Sequence, residues 1–175
     1  MIIESIKSEY LRYKVLAEGA FEQISEEGLN KLYGDDSNSI SVIVCHISGN
    51  LKSRFTDFLT SDGEKTWRKR DTEFEERNLS RNDLIKKWNE GWNVLLNSIN
   101  ALTDNDLEKM NTIRGKDITV AEALHRSLAH LSYHVGQIVF IAKMIAGKNW
   151  RSLSIPRGES EQYNLNADKG KRAKT

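Results

Sequence analysis

Three histidines are the residues of this chain best suited to chemistry, because their type and spacing match a metal site. His130 and His134 stand four apart in AHLSYHVGQ, and His46 lies far upstream in IVCHISGN. Residues four apart on an α-helix share one face, so two imidazoles there can reach one metal ion. A third imidazole from another helix would leave coordination positions open, as in catalytic zinc centres. The spacing therefore predicts a three-histidine metal site.

A histidine pair at this spacing also has a simpler interpretation. Taken alone, it more often consists of ordinary histidines that are partly exposed or hydrogen-bonded. His46 changes the balance, because it lies next to Val44 and Ile47, and burying an unpaired polar group costs about 1–3 kcal/mol. The fourth histidine, His125, should point away from the pair and lie at the surface.

The elements that must position these histidines are helices, because apolar residues recur at helical spacing throughout and only one proline occurs. We expect long helices over about residues 2–24 and 40–59, and two more beginning at Ser80 and Thr119. In the helix that begins at Thr119, Thr119 and Glu122 make a capping box. The apolar residues of this helix follow one another at spacings that alternate between four and three. The sequence thus predicts an all-α, antiparallel four-helix bundle.

Composition limits the class of protein. The 175 residues carry a net charge of +1 without an obviously basic face, which argues against a nucleic-acid partner. No apolar run reaches the length of a membrane span, and the N-terminus lacks a secretory signal. A single cysteine, Cys45, suits a reducing compartment. We therefore expect a cytoplasmic domain over residues 1–160 and a polar, disordered tail over residues 161–175.

A charged segment of about 20 residues, SDGEKTWRKRDTEFEERNL, separates the second and third predicted helices. Loops of that length in a compact domain are usually functional or disordered. Arg68 or Arg70 would suit a carboxylate of a polar co-substrate, with Trp67 packing the segment against the domain. The other interpretation is a solvated connection. On the second helix, Asn50 and Arg54 follow His46 at one-turn steps and are candidates for the pocket.

The chain resembles the DinB/YfiT-like superfamily of metal-dependent helical-bundle proteins. The resembling features are the four-helix layout, His46 in CHISGN, and the paired histidines followed by Gly-Gln in HLSYHVGQ. The segments GNLKSRFTDFLTSDGEKTWRKRDTEF and SIPRGESEQYN also resemble one uncharacterised branch, and the likeness covers about residues 1–165. Many relatives carry Arg directly after the second histidine of the pair. Val135 stands there in this chain, so no role tied to that Arg is carried over.

The resemblance implies a divalent metal, zinc or nickel, held by His46, His130 and His134, with Gln137 among the residues around it. It also implies thiol chemistry, because better-characterised members are S-transferases and isomerases that use bacillithiol, mycothiol or glutathione. A metal-dependent small-molecule enzyme, either a thiol S-transferase or a hydrolase, is the expected function, and no catalytic acid or base is assigned. Relatives usually pair through helix faces, so a homodimer is expected.

Two alternatives stay open. The first is a non-catalytic metal-binding or stress-associated bundle in which the ion stabilises the fold. The second is a helical interaction module without metal, which would require the three histidines to lie apart in space.

Overall fold

A computed structural model describes residues 1–34 and 36–168, and most of this part of the chain is helical. None of its helices is long and apolar enough to cross a lipid bilayer. The helices and strands follow in the order α1 (Ile2–Phe21), α2 (Glu26–Asn30), α3 (Ile40–Phe55), α4 (Arg81–Asn100), β1 (Met110–Ile113), β2 (Lys116–Thr119), α5 (Val120–Ala146) and α6 (Ser160–Asp168). Short 3₁₀ turns are found at Arg70–Phe74, Asp104–Asp106 and Gly147–Asn149.

The four long helices enclose one hydrophobic core. Helix α3 packs along α4 and also contacts α5, and α1 packs along α5. The largest buried side chains are aromatic. On α4, Trp92 lies beside Tyr10 of α1, and Trp88 lies beside Phe21 of α1. The Tyr10 ring meets the rings of Trp92 and Phe55 edge to face, each at 6.5 Å between centroids. The Tyr10 hydroxyl also donates a hydrogen bond of 2.9 Å to the carbonyl oxygen of Leu124 in α5. Tyr10 therefore contacts both α3 and α5, the helices that carry the three histidines.

The predicted helix starts are confirmed by their caps. The side chains of Ser39, Ser80 and Thr119 each accept a hydrogen bond from a backbone N–H three residues ahead. Two helices end a few residues earlier than the sequence predicted. Helix α1 ends at Phe21, and α3 ends at Phe55 because Thr56 is extended and Asp57 takes a left-handed conformation with φ 50°.

Helices α3 and α4 approach each other closely two residues after His46. A Cβ atom at Gly91 would lie 2.7 Å from the Cα of Ser48, so the absent side chain permits this contact. The Ser48 hydroxyl donates a hydrogen bond of 2.7 Å to the carbonyl oxygen of Lys87. These two contacts fix the position of α3, and so of His46, along the axis of α4.

The structure is mostly helical, as the predicted all-α class requires, but it also contains a short β-hairpin. Strands β1 and β2 pair antiparallel, and the turn residues Arg114 and Gly115 have φ of 56° and 69°, as in type I′ turns. Each strand has only four residues, which is too short for alternation to show in the sequence. The Asp62 carboxylate accepts hydrogen bonds from the backbone N–H groups of Arg114 and Gly115, so the hairpin is tied to the segment after α3.

The C-terminal segment also differs from the expected disordered tail. Residues Ser160–Asp168 form α6, and the rest of that predicted tail, 169–175, lies outside the described residues. The described side chains of α6 are exposed.

Candidate metal centre and the adjoining cavity

The structure brings the three predicted histidines together between α3 and α5. The Nε2 atom of His130 lies 3.2 Å from the Nε2 of His46 and 3.2 Å from the Nε2 of His134. One ring nitrogen from each of the three lies within 4.8 Å of the others. Two nitrogens bound to one tetrahedral ion at about 2.0–2.1 Å are about 3.3–3.4 Å apart, so this spacing fits a single metal ion.

The other ring nitrogen of two of these histidines has a hydrogen-bond partner. Nδ1 of His46 lies 2.9 Å from a carboxylate oxygen of Glu73, and Nδ1 of His134 lies 2.8 Å from the amide oxygen of Gln137. Both partners accept, so each Nδ1 carries the proton and each Nε2 presents a lone pair. A neutral His130 can donate one Nε2 proton to only one of its two neighbours. A cation among the three nitrogens would satisfy all of them.

The environment keeps the pair on α5 neutral. Burial and, to a lesser extent, the nearby His134 and His46 together lower the pKa of His130 to about 4. Burial also lowers the pKa of His134, against the opposing effect of the Gln137 hydrogen bond. Both imidazoles are therefore unprotonated near neutral pH, which is the form that binds metals.

Glu73 orients His46. From the sequence it was one of several charged loop residues that could close over the metal, and no contact with His46 was predicted for it. Its carboxylate accepts two bonds of 2.8 Å from Arg68, through Nε and Nη2, in addition to the bond from His46. Burial raises the pKa of the Glu73 carboxyl, but the hydrogen bonds from Arg68 and His46 outweigh burial and hold that pKa below its ordinary value. The carboxylate is therefore ionised and fixes the tautomer of His46.

A glycine on α3 makes room for this carboxylate. A Cβ atom at Gly49 would lie 2.1 Å from Oε1 of Glu73, so the carboxylate rests directly on the helix backbone. Gly49 follows His46 by three residues and therefore shares its face of the helix. A glycine in a helix interior next to a candidate ligand was the one sequence signal that some other group approaches at this point.

The remaining predicted residues divide into three groups. Gln137 contacts His134 directly, and Arg68 acts through Glu73. Asn50, Arg54 and Arg70 line a cavity beside the histidines.

Trp67 is not brought to this cavity. Its side chain is half exposed and lines a separate surface depression that also includes Cys45.

Two of the cavity residues, Arg54 and Arg70, also contact other side chains. Arg54 lies 3.2 Å from the carboxylate of Glu64, and the guanidinium of Arg70 lies 4.9 Å from the ring centroid of Phe74.

The cavity has a volume of about 350 Å³, within the range of small-molecule sites. His46 and His130 form part of its wall, together with the apolar side chains of Phe55, Phe58 and Ile113. In the described part of the chain, no Asp or Glu lines it. The arrangement can therefore hold a small molecule against the histidines, without a carboxylate in position to act as a general base.

Comparisons with known proteins add one positive finding. No curated protein and no solved structure matches the chain. A family model described as "Protein of unknown function (DUF1572)" matches residues 1–159, which is most of the chain and includes all three histidines. The chain therefore belongs to the family of proteins of unknown function DUF1572.

Proposed function

We propose that this protein binds a divalent metal ion, zinc or nickel, through the Nε2 atoms of His46, His130 and His134. The observation that carries the proposal is the convergence of the three Nε2 atoms, two of them with Nδ1 already committed to Glu73 and Gln137. Metal-bound histidines in proteins usually show this arrangement, with the second nitrogen fixed by a carboxylate or carbonyl oxygen.

We further propose that the helices form a four-helix bundle of the DinB/YfiT type. Support comes from the pairing of α3 with α4 and of α1 with α5 around one core, and from the positions of the ligands. One histidine lies on the second long helix and two lie on the last, which is the distribution that the resemblance implies.

The proposed activity is a metal-dependent reaction of a small molecule, and thiol transfer to an electrophile is favoured over hydrolysis. A divalent ion held by three neutral imidazoles would lower the pKa of a bound thiol or water. Hydrolysis also needs a group that takes a proton from water, and Glu73 is occupied by Arg68 and His46. A thiol that has already lost its proton needs no such base during attack.

The metal proposal is tested by metal analysis of protein purified without a histidine tag. We expect about one zinc or nickel ion per chain, and near loss of it in the variants H46A, H130A and H134A. The matched control is H125A, because His125 is on α5 but exposed and outside the cluster. Equal metal content in H125A and H134A would refute the proposal.

The thiol proposal is tested with a chlorodinitrobenzene-type electrophile and glutathione, bacillithiol or mycothiol. We expect the metal-loaded protein to accelerate consumption of the probe, and H134A to abolish this acceleration. Metal binding without turnover for any of the three thiols would instead support the non-catalytic metal-binding bundle. That alternative function needs no cavity beside the histidines.

A further inference from the structure

The cavity beside the histidines has an unusually basic wall. Five of its lining residues are arginines: Arg54, Arg68, Arg70, Arg114 and Arg126. Carboxylates compensate three of them, because Glu73 pairs with Arg68 at 2.8 Å and Glu64 pairs with Arg54 and Arg114 at 3.2 and 2.8 Å. Two carboxylates thus serve three guanidinium groups, although the whole chain has a net charge of only +1.

The other two arginines have little compensation. Arg70 lies 3.9 Å from Asp71, whose side chain is fully exposed, so water screens the pair. Arg126 has no ion-pair partner among the residues that the structure describes. Both guanidinium groups are therefore available to a ligand in the cavity.

The arginines of this wall also repel one another, even where a carboxylate is paired with them. Burial lowers the pKa of Arg54, and the like charges of Arg68 and Arg114 lower it further, against the opposing effect of Glu64. An anion in the cavity would relieve this repulsion.

Helix α5 places one of the two available arginines, Arg126, near the proposed metal ligands. Arg126, His130 and His134 follow one another at steps of four residues, so they lie on one stripe of the helix. Each step rises about 6 Å along the axis. A ligand only a few bonds long could therefore contact the Arg126 guanidinium and the histidine nitrogens at once.

We propose that this cavity binds a small organic anion through Arg126 and Arg70, with its carboxylate or phosphate group at the arginines and its reactive end toward His46 and His130. Guanidinium groups bind either oxyanion bidentately. The inference rests on the proposed function, since it names the substrate class of the same site. Among thiol co-substrates, it favours those that carry carboxylates over uncharged ones.

The test measures binding by calorimetry, separately on metal-free and zinc-loaded protein. The probes are S-methylglutathione, which has two carboxylates and no free thiol, its uncharged-carboxyl diethyl ester, and phenyl phosphate. We expect at least one anion to bind, the ester to bind at least about tenfold more weakly than its parent, and R126Q to lose at least about tenfold in affinity. The matched control is R157Q, because Arg157 is exposed and outside the cavity.

Each result decides a point. Preference for S-methylglutathione over phenyl phosphate identifies a carboxylate ligand, and the reverse identifies a phosphate ligand. Binding of neither anion, or equal affinity in R126Q and wild type with unchanged circular dichroism, overturns the proposal. Binding to metal-free protein that never takes up zinc would uphold the anion site while the proposed metal function fails, so the two failures are distinguishable.

Discussion

Glu73 constrains the histidine cluster through His46. It joins a buried guanidinium to a buried imidazole, with Arg68 on one side and His46 on the other. Without the carboxylate, Arg68 and His46 would each lose a hydrogen-bond acceptor although both side chains are buried. Leaving buried donors unpaired is costly in free energy.

We expect E73Q to lower metal affinity by about 10- to 100-fold, because a neutral amide neither fixes the His46 tautomer nor balances Arg68 as the carboxylate does. Competition with a chromophoric chelator measures the affinity. The control is E75Q, two residues away, whose side chain is 65% exposed. Unchanged zinc affinity in E73Q would show that the carboxylate does not support the ligands.

The histidine pair of α5 could be predicted from sequence because helical periodicity is local: a spacing of four residues places His130 and His134 on one face wherever the helix lies. His46 was added because of its apolar neighbours and the family resemblance. Glu73 could not be predicted in the same way. Its contact with His46 depends on how a charged loop of about 20 residues folds back on α3, which no residue spacing specifies.

At the scale of elements, the short 3₁₀ turn Arg70–Phe74 is held against α3 at Gly49. The contact leaves no space for a methyl group, since a Cβ at this position would overlap the Glu73 carboxylate. Phe74 contributes to the same contact, with its ring centroid 4.6 Å from that of His46.

We expect G49A to lower both the metal affinity and the free energy of unfolding, although alanine favours helix over glycine by about 1 kcal/mol. The matched control is G136A, since Gly136 is also inside a helix but a Cβ there meets nothing within 4 Å. G136A should be stabilised by up to about 1 kcal/mol. Urea unfolding and chelator competition measure both quantities, and equal behaviour of the two variants would contradict this account.

Helix caps were predictable and the hairpin was not, for a physical reason. Ser39, Ser80 and Thr119 act on backbone groups three residues away, so their effect can be read locally. The hairpin depends on its turn, where Arg114 adopts a positive φ that non-glycine residues seldom take. Its attachment to Asp62 spans about 50 residues and has no local signature.

At the scale of the whole molecule, the homodimer expected from the sequence stays a prediction. Helix α5 offers a surface for it: Tyr133, Phe140 and Met144 are exposed on one stripe, with Gly136 between them. This stripe borders the histidine cluster, because the Tyr133 ring centroid lies 5.0 Å from that of His134.

If two copies pair through this stripe, F140E should convert a dimer to a monomer in sedimentation experiments at micromolar concentration, because the pairing would bury the new charge. M110E is the control, since Met110 is similarly exposed on the hairpin. A wild-type protein that sediments as a monomer, or an F140E dimer, would reject the interface.

The sequence distance between the proposed ligands has a consequence for biosynthesis. His46 and His130 are 84 residues apart, so the ribosome releases the first long before the second. No intermediate of synthesis can hold an ion among all three imidazoles until α5 has emerged and docked. Acquisition of the metal would therefore mark the end of folding, and a nascent chain stalled before α5 would leave His46 as an ordinary histidine beside Glu73.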